Sequence, residues 1–488
     1  RSAKCSRAEL LAQGMKSTDA LIVAWRQTVG RAKDAPAIFN TRGQVVRKFS
    51  EIEERARHFE TKIEMFNAES VIAIQIGNHE DWPSILIACL RKRLAVLPLE
   101  QSISDQQWAA ALRICRASAV VRAALSGGRP PEFVPLRTAA SKPNWGENPP
   151  TLLKLTSGTT AAPRAIRFRS EQLLADCTQI CDTMGISDVD LNFGVIPISH
   201  SYGFSNLITP LIARGVPMVL SQDRMPRGVL ADLACTDATV FPGMPVFYQT
   251  FCEIENVPAL PKLRLCISAG APLAIAVARQ FRQKFNLPIH SFYGASECGG
   301  ICYEHDVKNH VEGFVGQPMK GVDIEMDDPR APASQICIRS PAVGDGYFPE
   351  SDEAKLGDGF FVPDDLLNKT ANGFRIVGRT SDLINVAGKK VSPAEVEAHL
   401  MRFSGVRQAV VFGRASILRN EEVAACVVAS PGVSEAELLE FCRRELSTWQ
   451  VPKRVFIVDA IPVNERGKSS RRELAHRFAA RHERSPLR

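Results

Sequence analysis

Val71-Ile-Ala-Ile-Gln-Ile76 is a short β-branched run that closes at Gly77, and its flanks decide how the chain folds. Before it, apolar positions recur at helical spacing from Phe49 to Phe66. After it, Trp82 to Arg91 repeats that spacing, and Val96-Leu-Pro-Leu99 reads as a second strand. Strands alternating with helices imply right-handed βαβ units and a mostly parallel sheet. The rhythm continues through Asn192-Phe-Gly-Val-Ile196, Met218-Val-Leu220, Thr239-Val-Phe241 and Leu263-Arg-Leu-Cys-Ile267. No repeat of fixed period is present.

Two stretches depart from this rhythm. Ser126-Gly-Gly-Arg-Pro-Pro131 and Ser141 to Pro150, with three prolines, mark residues 126–150 as a surface linker. From about residue 310 the texture turns to short strands and turns (Gly316-Gln-Pro, Gly321-Val, Gln335-Ile-Cys-Ile-Arg339), which suggests a β-rich subdomain. A compact α+β segment follows Arg379. It has strands at Ala409-Val-Val-Phe412, Val423 to Ala429 and Arg454 to Val458, and a helix at Ser434 to Leu446. The boundary is expected at Gly378 to Asp382. The expected fold is α/β: a large N-terminal domain (1–379) of mostly parallel sheets with flanking helices plus the β-rich subdomain, and a small mobile α+β C-terminal domain (380–488).

At 488 residues the chain exceeds one compact core, and its 45% hydrophobic and 23% charged residues are ordinary for a soluble globular protein. The net charge of +7 gathers near the end, at Arg466, Lys468, Arg471, Arg472, Arg477, Arg481, Arg484 and Arg488. Such a run reads as a solvated helix face, with anionic ligands a sharper reading for its first part. Nucleic-acid binding would need stacking aromatics among these charges, and the tail offers only Phe478. Thirteen cysteines are scattered. Cys177/Cys181 and Cys298/Cys302 are four apart, a helical spacing rather than the C-x-x-C of zinc sites. Reduced, mostly buried thiols in a cytoplasmic protein are expected. No apolar run reaches membrane-spanning length and no signal peptide is visible. The opening at Arg1 leaves room for residues missing or processed at the start.

Leu155-Thr-Ser-Gly-Thr-Thr160 follows the apolar Leu152-Leu153 and precedes a helix expected from near Ser170. Its four hydroxyls around one glycine make a turn whose amides and side chains can donate to phosphate oxygens. A Ser/Thr-rich surface turn has the same composition. A Walker A loop is excluded, because no Gly-Lys-Ser/Thr follows the glycine.

The order of further segments decides between these readings. Leu155 to Arg164 resembles the T-S-G-T-T-G-x-P-K signature of the adenylate-forming superfamily of acyl-CoA synthetases, firefly-type luciferases and nonribosomal peptide adenylation domains. Tyr293-Gly-Ala-Ser-Glu297 resembles its Y-G-x-T-E. Gly378-Arg-Thr-Ser-Asp-Leu-Ile-Asn-Val-Ala-Gly388, followed by Val391-Ser-Pro-Ala-Glu-Val-Glu397, resembles its hinge and loop. Pro462-Val-Asn-Glu-Arg-Gly-Lys-Ser-Ser-Arg-Arg-Glu-Leu474 is similar to its terminal P-x-T-x-x-G-K-x-x-R-R-x-L. The matches fall in family order from about residue 40 to 475.

The resemblance implies ATP-dependent attack of a carboxylate on the α-phosphorus, with loss of pyrophosphate, then transfer of the acyl group to the thiol of coenzyme A. It assigns the β- and γ-phosphates to Thr156, Ser157, Gly158, Thr159 and Thr160, and Mg²⁺ to Glu297, an oxygen ligand of the kind Mg²⁺ prefers. Ser296 stands where the family has a threonine near the α-phosphate. Ser268 to Leu273, with Gly270, Ala271 and Pro272, would frame the adenine, and Tyr293 would pack on it beside Ser291 and Gly294. Asp365 and Arg379 would hold the ribose, Asp364 being a competing assignment. Lys468 matches the catalytic lysine, whose ammonium can bridge carboxylate and α-phosphate. Ser381 matches the hinge residue, a role Asp382 could share, while Gly388 and Lys389 would meet the acceptor thiol. Pro197-Ile-Ser-His-Ser-Tyr-Gly-Phe204 resembles the acid-tunnel segment, making His200, Tyr202 and Gly203 pocket-lining, with Gly243 and Gly299 on other walls.

No paired acid for an α-amino group is recognisable, so an aliphatic (fatty) or aryl acid is expected. Ala161 and Arg164 replace the family's glycine and lysine. An alanine where φ is positive costs on the order of 1 kcal/mol, and a guanidinium can still clamp phosphate, so slower or altered ATP handling is expected. Two alternatives stand beside the acyl-CoA ligase. One is a ligase loading a separate phosphopantetheinyl carrier protein, and the other is a non-catalytic nucleotide- or acyl-binding relative.

Overall fold

The computed structural model describes residues 19–123, 130–136, 143–156, 164–223, 225–307, 311–386, 389–416, 420–462 and 471–479. They pack as two compact units, the first drawn from residues 1–310, 315–325 and 338–362 and the second from 311–314, 326–337 and 363–488.

Two sheets build the first unit. One has a parallel centre of Met218–Leu220, Asn192–Gly194, Val240–Gly243, Leu265–Ser268 and Ile289–Ala295. Antiparallel strands flank it, Gly299–Tyr303 beside Ile289–Ala295 and Val45–Lys48 at the far edge. In the other, Leu152–Leu155, Ala95–Pro98, Val71–Gln75 and Ala117–Arg122 run parallel between antiparallel neighbours. Both centres carry the near-continuous apolar runs of doubly covered strands. Trp82–Arg91 is buried all round from Trp82 to Leu90, and its Trp82 ring meets Phe204 edge-on at 6.2 Å between centroids. An aromatic core of Phe193, Phe241, Tyr248, Phe251 and Phe281 fills one face of the first sheet.

One buried carboxylate pins the N-terminal ends of three parallel strands. Asp190 accepts from Arg264 at 2.7 and 2.6 Å and from the Thr239 hydroxyl at 2.8 Å, just ahead of Asn192–Gly194, Leu265–Ser268 and Val240–Gly243. Burial pushes this carboxyl up, but hydrogen bonds from Arg264, the Ser187 amide and Thr239 outweigh that and hold it below its ordinary range. A depressed carboxylate stabilises the fold above its unfolded pKa and loses that contribution as pH falls through the folded value. Asp190→Asn is therefore expected to cost about 2 kcal/mol in urea unfolding at pH 7. The difference from wild type should narrow as pH falls through the depressed folded value of this carboxyl; a gap independent of pH would refute the assignment.

The second unit is α+β. The hairpin Asp365–Thr370/Gly373–Arg379 pairs with the start of Ser334–Arg339. A five-stranded sheet follows, with Val406–Ser416 antiparallel to Asn420–Ala429 and Arg454–Ile457 parallel to the latter. Helices Pro393–Leu400 and Glu435–Glu445 contribute to its core through Val396, Leu400, Leu438 and Cys442.

Two expectations need correction. Glu132–Pro135, read within a linker, pairs antiparallel with Ala117–Arg122 as an edge strand. Prolines are tolerated at such an edge, which is why composition alone suggested a loop. Cys177 and Cys181 share helix Ser170–Met184, but Cys298 lies in a turn and Cys302 on strand Gly299–Tyr303, so the same spacing marks no helix there. No helix among the described residues is long and apolar enough to cross a membrane.

Candidate active site

Parallel strands deliver their following loops to one edge of a sheet, the usual place for a ligand crevice. Here the C-terminal ends of Asn192–Gly194, Val240–Gly243, Leu265–Ser268 and Ile289–Ala295 bring half of the expected residues together. After the first strand come His200, Tyr202 and Gly203. Tyr202 donates to the Gly243 carbonyl at 3.3 Å, and its ring lies 5.8 Å from that of Phe292. Gly203 passes so close to Pro197 that a Cβ would stand 2.1 Å from its carbonyl oxygen, which explains the glycine without reference to ligand. His200 is partly exposed, with Nε2 3.5 Å from the Glu100 carboxylate. Beyond Leu265–Ser268 the backbone turns at Gly270 (φ +85°) and leaves Gly270, Ala271 and Pro272 exposed, a flat platform of small residues. Ser291 lies beside Ser268 in register, Tyr293 is buried, and Gly294 is exposed.

Ser296 and Glu297 occupy the turn between Ile289–Ala295 and Gly299–Tyr303. The Glu297 carboxylate accepts from the Tyr347 hydroxyl at 3.1 Å, and its carbonyl accepts from the Gly344 amide at 2.9 Å. Burial pushes its carboxyl up, while Tyr347, Lys355 and Lys154 pull the other way. Tyr347 carries the Arg164 guanidinium 4.2 Å above its ring, and Arg164 lies 3.8 Å from Asp352. Thr156 and Arg164 close the ends of the hydroxyl-rich segment, the Thr156 amide donating to the Arg164 carbonyl at 2.8 Å. Ser157, Gly158, Thr159, Thr160 and Ala161 lie outside the described residues. No three His, Cys, Asp or Glu side chains among the described residues form a metal cage. A single half-buried carboxylate instead suits Mg²⁺ whose other ligands are substrate phosphates and water.

Within the second unit, Asp365 and Arg379 face each other across the hairpin, Nε to Oδ1 2.7 Å, and Asp365 is buried. Asp364 is exposed and uses its carbonyl to accept from the Thr380 amide at 2.7 Å. Ser381 lies in the short turn Thr380–Asp382. Arg471 grips Asp382 at 2.6 Å, Glu397 at 2.9 and 3.0 Å and the Val411 carbonyl at 3.0 Å. Lys389 has its ammonium 3.6 Å over the Trp449 ring. Gly388 and Lys468 lie outside the described residues.

Sequence reasoning passed over three residues around Glu297. Tyr347 gave only a weak signal as an aromatic after a glycine. Lys154 is a lone charge inside the apolar Leu152-Leu-Lys-Leu155. Asp176 falls on the buried phase of its helix, between Leu173, Cys177 and Ile180. A charge at a core position was the clue in both latter cases.

Residues 25–348 match the family model of the AMP-binding enzyme, and residues 395–468 that of the AMP-binding enzyme C-terminal domain. A probable CoA ligase of Humulus lupulus is 30% identical over 344 residues, 67% of this chain and 65% of that protein. An oxalate–CoA ligase of Arabidopsis thaliana is 29% identical over 66% of each. The match thus spans about two thirds of the length of these relatives. A 3,4-dihydroxybenzoate–[aryl-carrier protein] ligase of Bacillus anthracis is 27% identical over 68% of this chain and 75% of its own. Among solved structures, ATP-bound MatB from Rhodopseudomonas palustris superposes with a TM-score of 0.81 at 22% identity, over 95% of this chain and 100% of its own.

Proposed function

Because the chain belongs to the AMP-binding enzyme family, we propose that it joins a carboxylic acid to AMP at the expense of ATP, releases pyrophosphate, and passes the acyl group to the thiol of coenzyme A. One observation carries the reading: Glu297, the 270–272 platform and the His200–Gly203 segment converge at the C-terminal ends of neighbouring parallel strands.

The chemistry follows from two anions that must meet. Binding has to align the acid oxygen with the α-phosphorus opposite the leaving pyrophosphate, and fixed charges must offset the charge that accumulates. Gly270 to Pro272 and Tyr293 take the adenine, with Ser291 and Gly294 beside it. Asp365 and Arg379 orient the ribose; the burial of Asp365 favours it over Asp364. Thr156 to Thr160 hold the β- and γ-phosphates, and Arg164 adds a cation at the exit of that segment. Glu297 would hold Mg²⁺, which supplies charge neutralisation on the phosphates. Ser296 and Lys468 act at the α-phosphate, Lys468 also meeting the incoming carboxylate. His200, Tyr202, Gly203, Gly243 and Gly299 line the acid pocket, whose apolar and aromatic surroundings favour an aliphatic or aryl acid.

Thiol transfer uses a second arrangement of a small domain beginning near residue 380. Asp382 is tied into that domain by Arg471, which supports Ser381 as the pivot. Gly388 and Lys389 then face the thiol. Scattered cysteines, mostly buried among the described residues, support a cytosolic setting, and a free adenylate requires no cysteine nucleophile.

The Bacillus anthracis relative favours a second reading, in which the acceptor is the phosphopantetheine of a carrier protein. Purified protein with MgATP and a panel of fatty and aryl acids is expected to release pyrophosphate, and to form thioester when coenzyme A is added. Pyrophosphate without thioester would select the carrier protein. No pyrophosphate with any acid would support the non-catalytic reading that Ala161 and Arg164 raise.

A further inference from the structure

A charge pair lies buried beside the candidate site, and none of the roles above uses it. Lys154 is 6% exposed on strand Leu152–Leu155, its ammonium 4.4 Å above the Phe168 ring. Burial pushes the Lys154 ammonium down in pKa, and Asp176, 3% exposed on helix Ser170–Met184, is the foremost acidic group opposing that, ahead of Cys298 and Glu297. An aliphatic side chain would suit the strand as well. A buried ammonium is costly and persists where a carboxylate balances it.

Asp176 does more than balance charge. Its Oδ1 accepts from the Gly300 amide at 3.0 Å and its Oδ2 from the Ser205 hydroxyl at 2.5 Å. Gly300 closes the turn that carries Ser296 and Glu297. Ser205 lies in the π-helical turn Phe204–Ile208, which continues directly from His200–Gly203. Gly299 (φ +70°) faces the same carboxylate so closely that a Cβ would stand 2.0 Å from Oδ1. The phosphate-side turn and the acid-side helix thus rest on the two oxygens of one carboxylate. Those oxygens cannot move independently. A π-helical turn is also a frequent feature of functional segments.

We propose that the Lys154–Asp176 pair is a positioning device that sets the Glu297 turn against the acid-binding segment, so that filling one is felt at the other. The proposal rests on the adenylation reading. Displacement of Ser205 by a bound acid shifts Asp176, and Asp176 carries the shift to the Gly300 amide. Lys154 supplies the compensating charge for that buried carboxylate.

The test measures pyrophosphate release by the full chain with an acid that the wild type accepts. A wild type inactive with every acid is a failure of the adenylation reading, not of this one. With an active wild type, Ser205→Ala is expected to raise the KM for the acid about fivefold and to lower kcat several-fold, because the two elements lose their common anchor. Replacing both charges, as Lys154→Met with Asp176→Leu, leaves neither charge uncompensated but takes the acceptor from the Gly300 amide and the Ser205 hydroxyl, so the variant should fold with a lowered melting temperature. Its kcat should fall at least about tenfold. A folded double variant with kcat and both KM values within about twofold of wild type would show the pair to be structural filler and overturn the proposal. If that variant does not accumulate, Ser205→Ala decides alone: unchanged acid KM and kcat overturn it.

Discussion

Lys468→Ala is expected to abolish pyrophosphate release while a supplied acyl-adenylate is still passed to coenzyme A. An ammonium that bridges carboxylate and α-phosphate contributes only where charge builds during adenylation. Losing one such donor costs about 10²- to 10³-fold in kcat. Thiol attack on the finished adenylate needs no such bridge. The variant keeps Arg471, three residues further along the chain, whose contacts with Asp382 and Glu397 anchor helix Arg471–Ala479, so the loss is chemical rather than a collapse of the unit. Single-turnover assays of each half-reaction give the answer. Equal loss of both would sink the two-arrangement account.

Glu297→Gln is expected to lower adenylation by about 10²-fold, mainly through a weaker grip on MgATP. The amide preserves shape and still offers an oxygen to the Tyr347 hydroxyl now 3.1 Å away. What it removes is the one anionic oxygen ligand in the turn. Titrating Mg²⁺ at fixed ATP separates the outcomes: the variant should need far more Mg²⁺ for half-maximal rate. A variant within about threefold of wild-type kcat/KM would remove Glu297 from the metal site.

How much of this was legible depended on whether local pattern or distant contact fixed a residue. The strands Val71–Gln75, Asn192–Gly194 and Met218–Leu220 and the helix Trp82–Arg91 were plain because their apolar runs and spacing are dictated by burial. Edge strand Glu132–Pro135 was not, since an edge position relaxes the demand for alternation and tolerates proline. Glu297, Asp365 and Arg379 were singled out through short motifs. Tyr347 and Asp176 act on Glu297 or its turn from 50 and 124 residues away, Asp176 through the Gly300 amide, and no local pattern encodes such a meeting. The reverse also holds. Gly203 and Gly299 looked like pocket walls, yet the carbonyl of Pro197 and the carboxylate of Asp176 each already demand a glycine there.

Tyr347 has two faces to its role. Its ring supports the Arg164 guanidinium and its hydroxyl holds Glu297. The unusual arginine at the end of the phosphate segment and the acid in the distant turn therefore share a single intermediary. A lysine at 164, as in the signature this segment resembles, would lie differently on that ring and reset the hydroxyl beneath it. Arg164→Lys is thus a change made at two places at once, at the end of the hydroxyl-rich segment and at the hydrogen bond to Glu297.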